Sequence, residues 1–111
     1  MTKSCPFCAI INGEEAGRVI SEDNEEFLLI QDAHPEGAIH WLASPRTHIE
    51  SIEEMEEKHS AKFIRLVQFA VEQTKNQVGA YPLLENGFTI KFHFGPFESI
   101  AHAKLHILST E

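Results

Sequence analysis

Near the end of the chain, apolar and polar residues alternate. His102, Lys104 and His106 are separated by Ala103 and Leu105 and flanked by Ala101 and Ile107. A period of two predicts a strand over 101–108 with one polar face. Alternation also predicts strands over 39–43, ended by Pro45, and over 87–94. Two shorter strands, 18–21 and 26–30, flank the turn-like Glu22-Asp23-Asn24. His34-Pro35-Glu36-Gly37 and Gly95-Pro96-Phe97-Glu98 are punctuated by Pro and Gly and read as loops. The period changes after Ser51. Ser51 followed by Glu54 predicts a capping box, and a long helix follows over 54–77. Its expected apolar stripe is Phe63, Val67, Ala70, Val71, Thr74 and Val78, with Gly79 as the stop. Residues 1–8 read as a loop or knuckle, 9–13 as a helical turn, and 81–86 as a loop. The expected architecture is α+β, a mostly antiparallel sheet with one main helix across it.

Composition narrows the function classes. At 111 residues, the chain is expected to form one domain, 1–111, with a modest core. No apolar run approaches the ~20 residues of a membrane span. The start MTKSCPFC lacks the apolar stretch of a signal peptide, so a cytoplasmic location is the expectation. A net charge of −8 argues against long nucleic acid as a partner. Much of the acid falls in 22–26 and 50–57, which read as solvated faces. A small phosphate ligand is still compatible, because local donors outweigh net charge at a pocket.

The two cysteines sit together in Cys5-Pro6-Phe7-Cys8. Two thiolates at this spacing can share one metal, and zinc takes four such ligands tetrahedrally. A redox role is the alternative, since CPFC is similar to the glutaredoxin active site CPYC. Against it, only four residues precede Cys5, whereas a glutaredoxin needs a strand there.

Three stretches, taken in order, carry a stronger resemblance. CPFCAIINGE at 5–14 is similar to CxFCxIxxGE. IQDAHPEGAIHWLASPRTH at 30–48 is similar to D-x-x-P-x-x-x-x-H-x-L-x-x-P-x-x-H. FHFGPFESIAHAKLH at 92–106 resembles F-H-x-P-P-F-x-S-I-x-H-L-H-L-H. These are motifs of the histidine triad family, and together they cover nearly the whole chain. The resemblance implies a five-stranded antiparallel sheet with one long helix, pairing into a homodimer. It implies transfer or hydrolysis of a nucleotidyl group, with a purine nucleotide such as AMP as ligand. Bacterial-type members close a structural zinc site with two histidines, which here are His48 and His102 beside Cys5 and Cys8.

The resemblance also assigns roles in a nucleotide site. Lys104 occupies the position of the nucleophile. His106 holds the reacting phosphate and His40 lies beside the nucleophile. Ser99 contacts phosphate oxygens, Asp32 accepts from the ribose hydroxyls, and His93 lines the pocket. His34 and His59 read as ordinary polar histidines. Phe7, Leu28 and Ile30 are expected to form either an apolar slot for a base or plain core.

Two departures bear on turnover. Gly95 replaces the first proline of F-H-x-P-P-F, and Glu98 puts a carboxylate where many relatives carry a neutral residue, close to an expected phosphate. The larger departure is Lys104. The family mechanism needs a neutral imidazole to attack phosphorus, and an ammonium has no lone pair. A cationic clamp on phosphate is the favoured expectation. A lysine nucleophile and a non-catalytic scaffold are the alternatives.

Overall fold

The structure is a computed structural model that describes residues 5–13, 17–22, 25–95 and 101–110. Five strands form one sheet in the order β1-β2-β3-β5-β4, with every neighbouring pair antiparallel: β1 Val19–Glu22, β2 Phe27–Gln31, β3 His40–Pro45, β4 Phe88–Lys91 and β5 Leu105–Ser109. The helices are α1 Pro6–Ile11, α2 Ile52–Lys58 and α3 Ser60–Asn76, and a 3-10 turn spans Pro82–Asn86. Each expected strand has a counterpart and the class is α+β, but β5 begins only at Leu105, so His102 and Lys104 precede it, and β4 ends at Lys91 and not at 94.

Strand alternation divides the side chains between two faces. Phe27, Leu29, Trp41, Ala43, Leu105 and Ile107 face the helices and join Ile52, Met55, Leu66, Phe69 and Ala70 in the main core. Leu28, Ile30 and Leu42 turn to the opposite face, where Phe7 of α1 covers them. Strand β3 is therefore buried along its whole length. The central strand is covered on both sides, so residues on either face sit in a low-dielectric setting.

The start of α2 is as expected. Ser51 Oγ accepts from the Glu54 N–H at 3.1 Å. Glu54 reaches back as well, although its carboxylate takes the N–H of Glu50, at 3.4 Å.

The single long helix is replaced by two. His59, at φ −138° and ψ 49°, ends α2 and begins α3. No glycine or proline marks that break, so the sequence carries no local signal for it. The buried stripe is also rotated: Leu66, Phe69, Ala70 and Thr74 are buried, while Phe63 and Val67 are only partly covered. Both stripes satisfy a helical period, and the sheet decides which one packs. Gly79 is not a left-handed stop. The helix caps at Gln77, and positive φ falls at Gly13, Gly87 and Gly95 among the described residues.

Truncating Leu66, which is 0% exposed, removes core volume. Leu66→Ala is expected to cost about 2–5 kcal/mol in urea unfolding. Ile64→Ala, at a site 56% exposed, is expected to cost under about 1 kcal/mol. Equal costs for the two would contradict the observed rotation of α3.

Candidate functional site

Two histidine clusters lie on the sheet face opposite the long helices. The first gathers Cys5, Cys8, His48 and His102, whose ligand atoms all lie within 4.8 Å of one another. Cys5 stands at the N-cap of α1, and its sulfur accepts from the Cys8 N–H. One turn of helix therefore presents both thiols to the same point. His102 Nδ1 lies 3.5 Å from Cys5 Sγ and 3.7 Å from Cys8 Sγ, and His48 Nδ1 lies 3.2 Å from Cys8 Sγ. A tetrahedral S2N2 zinc site separates S and N ligands by about 3.6 Å.

The outer nitrogens of these two rings complete the pattern. His102 Nε2 donates to the Pro45 carbonyl at 2.9 Å, and His48 Nε2 faces a Glu50 carboxylate oxygen at 3.3 Å. Each bond places the ring proton on Nε2 and leaves the Nδ1 lone pair toward the sulfurs, as metal-binding histidines require. Burial holds His102 below its ordinary pKa, assisted by the charges of His48 and Lys104 and opposed by the Pro45 hydrogen bond. The donor set and its tautomers fit a tetrahedral metal.

The second cluster gathers Asp32, His40 and His106. Leu42 on β3 pairs with His106 on β5, which sets His40 and His106 on one face. Their rings meet with Nε2 of His40 2.9 Å from Nδ1 of His106. Asp32 Oδ2 lies 3.3 Å from the same His40 nitrogen, and Asp32 Oδ1 accepts from the His34 N–H at 2.8 Å. Lone pairs remain on both Asp32 oxygens for further donors. The His93 ring packs edge-on against His106, with centroids 5.4 Å apart. His106 is pushed down to about 4, first by burial and then by the neighbouring His40, Lys104 and His93. It is neutral at pH 7.

Lys104 connects the two clusters. It is 5% exposed. Its ammonium donates to the His102 carbonyl at 3.4 Å and lies 5.5 Å from the centre of the Phe7 ring. Phe7 in turn stacks on His102, at 5.3 Å and 27°. Ser99 and Glu98 lie outside the described residues.

A sequence model described as "Scavenger mRNA decapping enzyme C-term binding" matches residues 4–111. The chain belongs to the histidine triad family. Among curated relatives, an adenosine 5′-monophosphoramidase HINT3 of Xenopus tropicalis is 29% identical over 96% of this chain and 67% of its own length. An uncharacterised HIT-like protein of Methanocaldococcus jannaschii is 31% identical, over 94% of this chain and 77% of its own length. The chain thus spans about two thirds of the HINT3 relatives it matches. A solved histidine triad protein from Clostridium difficile superposes with a TM-score of 0.83 at 24% identity, covering 100% of this chain and 95% of the other. A hypothetical histidine triad nucleotide-binding protein from Sulfolobus tokodaii gives 0.73 at 29% identity, covering 96% and 68%.

In this histidine triad family chain, Lys104 stands between His102 and His106. His102 faces the cysteines and His106 faces His40, so the two outer members belong to different clusters. Sequence reasoning missed the groups that set these rings: the Pro45 carbonyl, the Glu50 carboxylate and the backbone of Glu36. The one local signal that could have pointed to this loop is Asp32, an Asx-turn residue type two residues before the His34 N–H that it accepts.

The His106 shift makes stability pH-dependent. Its folded value of about 4 lies below the ordinary 6.5, so between these values the unfolded chain binds more protons. The contribution is complete above about 6.5 and is lost as pH falls toward 4. Melting temperature is expected to fall over this window, and less steeply in His106→Asn. An unchanged slope in the variant would show that His106 does not carry the effect.

Proposed function

We propose that this protein binds a purine nucleoside monophosphate of the AMP type and turns over nucleotidyl substrates weakly or not at all. The observation that carries this reading is Lys104, a buried lysine in the nucleophile's place beside the neutral His106. An ammonium attracts a phosphate but has no lone pair with which to attack phosphorus. The names of the relatives support an adenosine ligand. The HINT3 proteins are adenosine 5′-monophosphoramidases, and a further relative, from Arabidopsis thaliana, is a bifunctional adenosine 5′-phosphosulfate phosphorylase/adenylylsulfatase. In this reading His106 and Ser99 hold the phosphate and Asp32 receives the ribose. His93 lines the pocket. Phe7, Leu28 and Ile30 are packed with Leu42 as core and do not form an open slot for the base.

Two further parts belong to the proposal. Zinc bound by Cys5, Cys8, His48 and His102 clamps α1 against the sheet and supplies structure, not chemistry. The packing of both thiols against ring nitrogens favours this over a glutaredoxin-like role. A homodimer is supported by an exposed aromatic run beside the edge strand β4. Phe92 and Phe94 are 39% and 41% exposed, and Phe92 packs on Phe63 of α3.

Calorimetry is expected to give AMP binding that weakens about tenfold or more in Lys104→Met, the loss of one charge-assisted contact. Release of AMP from an adenosine phosphoramidate is expected from Lys104→His and not from the native chain. Native turnover matching the variant would overturn the reading. Failure of AMP to bind would favour a scaffold.

Elemental analysis is expected to find one zinc per chain. Cys8→Ser is expected to lose the metal and lower the melting temperature by more than about 5 °C, the shift one kcal/mol produces at this size. A metal-free native protein of equal stability would remove zinc from the proposal.

A further inference from the structure

The hydrogen bonds around His40 determine where its protons sit. Asp32 Oδ1 accepts from the His34 N–H and bends the loop that follows. Pro35 has no N–H. The next one, on Glu36, donates to His40 Nδ1 at 3.1 Å. A backbone N–H can only donate, so His40 Nδ1 carries no proton. The ring's single proton is then on Nε2. That nitrogen faces two groups, His106 Nδ1 at 2.9 Å and Asp32 Oδ2 at 3.3 Å. Both must act as acceptors, because a second proton aimed at Nε2–H would clash with it. The His40–Asp32 contact is therefore a hydrogen bond from a neutral ring and not an ion pair. His106, accepting at Nδ1, keeps its own proton on Nε2.

We infer that the 32–37 loop is a tautomer lock, which makes His106 Nε2 a fixed hydrogen-bond donor and closes the Asp32–His40–His106 cluster to metal. A metal on His40 would need the Nε2 lone pair while Nδ1 also accepts, and a neutral imidazole cannot supply both. The cysteine cluster shows the opposite arrangement. There both outer nitrogens face acceptors, Pro45 O and Glu50 Oε1, and both inner ones are bare. Two sites that each hold a pair of histidines are thus sorted by what each ring meets on its far side.

The lock defines the ligand chemistry. Next to the Lys104 ammonium, a ring fixed as N–H donor suits an acceptor oxyanion such as a phosphoryl oxygen and disfavours an amine or a cation. This part rests on the nucleotide reading above; the tautomers do not. His40 and the Glu36 N–H are positioning groups that act through His106. The Glu36 side chain is separable from its backbone. It pairs with Lys91 of β4 at 3.4 Å.

Nitrogen-15 NMR of the labelled histidines separates bare ring nitrogens from those bearing hydrogen. In the native chain, His40 and His106 are both expected to carry hydrogen on Nε2 alone. A proton on Nδ1 of His40 would overturn the lock. Glu36→Pro removes the N–H and is expected to release His40 and His106 into mixed tautomers. Glu36→Ala keeps the N–H and is expected to retain the native tautomers, although the Lys91 pair is lost. Equal spectra for the proline and alanine variants would count against the lock. AMP affinity is expected to fall about twofold or more in Glu36→Pro, the loss when half the rings carry the wrong tautomer. Zinc added beyond what the cysteine cluster takes up is expected to leave the His40 and His106 signals in place, and metal-induced shifts there would refute the exclusion. Native tautomers with no AMP binding would sink the nucleotide reading and leave the lock standing.

Discussion

The pairing of β3 with β5 governs this molecule. Leu42 stands opposite His106, so the two strands send Trp41, Ala43, Leu105 and Ile107 into the helix-covered core. The same register sends His40, Leu42 and His106 to the other face. A slip of one residue would reverse both sets, burying imidazoles under the helices and exposing the core. The apolar side therefore specifies the register, and the chemistry on the far side depends on it. Because β3 is covered on both faces, its neighbours lose water. That loss of water is the first cause of the low His106 and His102 protonation.

On that far face, hydrogen-bond partners determine what each histidine can do. His48 and His102 turn their protons outward, and the bare nitrogens converge with two thiols. His40 meets a backbone N–H and turns its proton inward. Lys104 lies between the two groups, against the Phe7 ring and the His102 carbonyl. Phe7 belongs to α1, which the cysteines orient, and also to the apolar cluster with Leu28, Ile30 and Leu42. The amino-terminal knuckle and the candidate nucleotide pocket are thus parts of one packed unit.

Much of this was legible in the chain. Period-two patterns marked the three later strands, and the turn at Glu22-Asp23-Asn24 marked the first two. Ser51 and Glu54 marked the start of α2. The spaced motifs named the family and brought Cys5, Cys8, His48 and His102 together as one donor set. The break at His59 was not legible, because no glycine or proline accompanies it. The burial of Leu66 and Phe69, in place of the stripe expected through Val71 and Val78, was not legible either. Several faces of a helix can satisfy one period, and the sheet selects among them.

The amino-acid sequence by itself determined the residue types and their alternation, and so the class of fold, the donor sets and the lysine at position 104. Tertiary structure decided the tautomers. Which nitrogen of a ring carries hydrogen depends on acceptors and donors far away in the chain. The Pro45 carbonyl stands 57 residues from His102, and the Glu36 N–H reaches His40 only through the turn at Asp32. Proton positions are set by contacts in space, and no local pattern of residues encodes them.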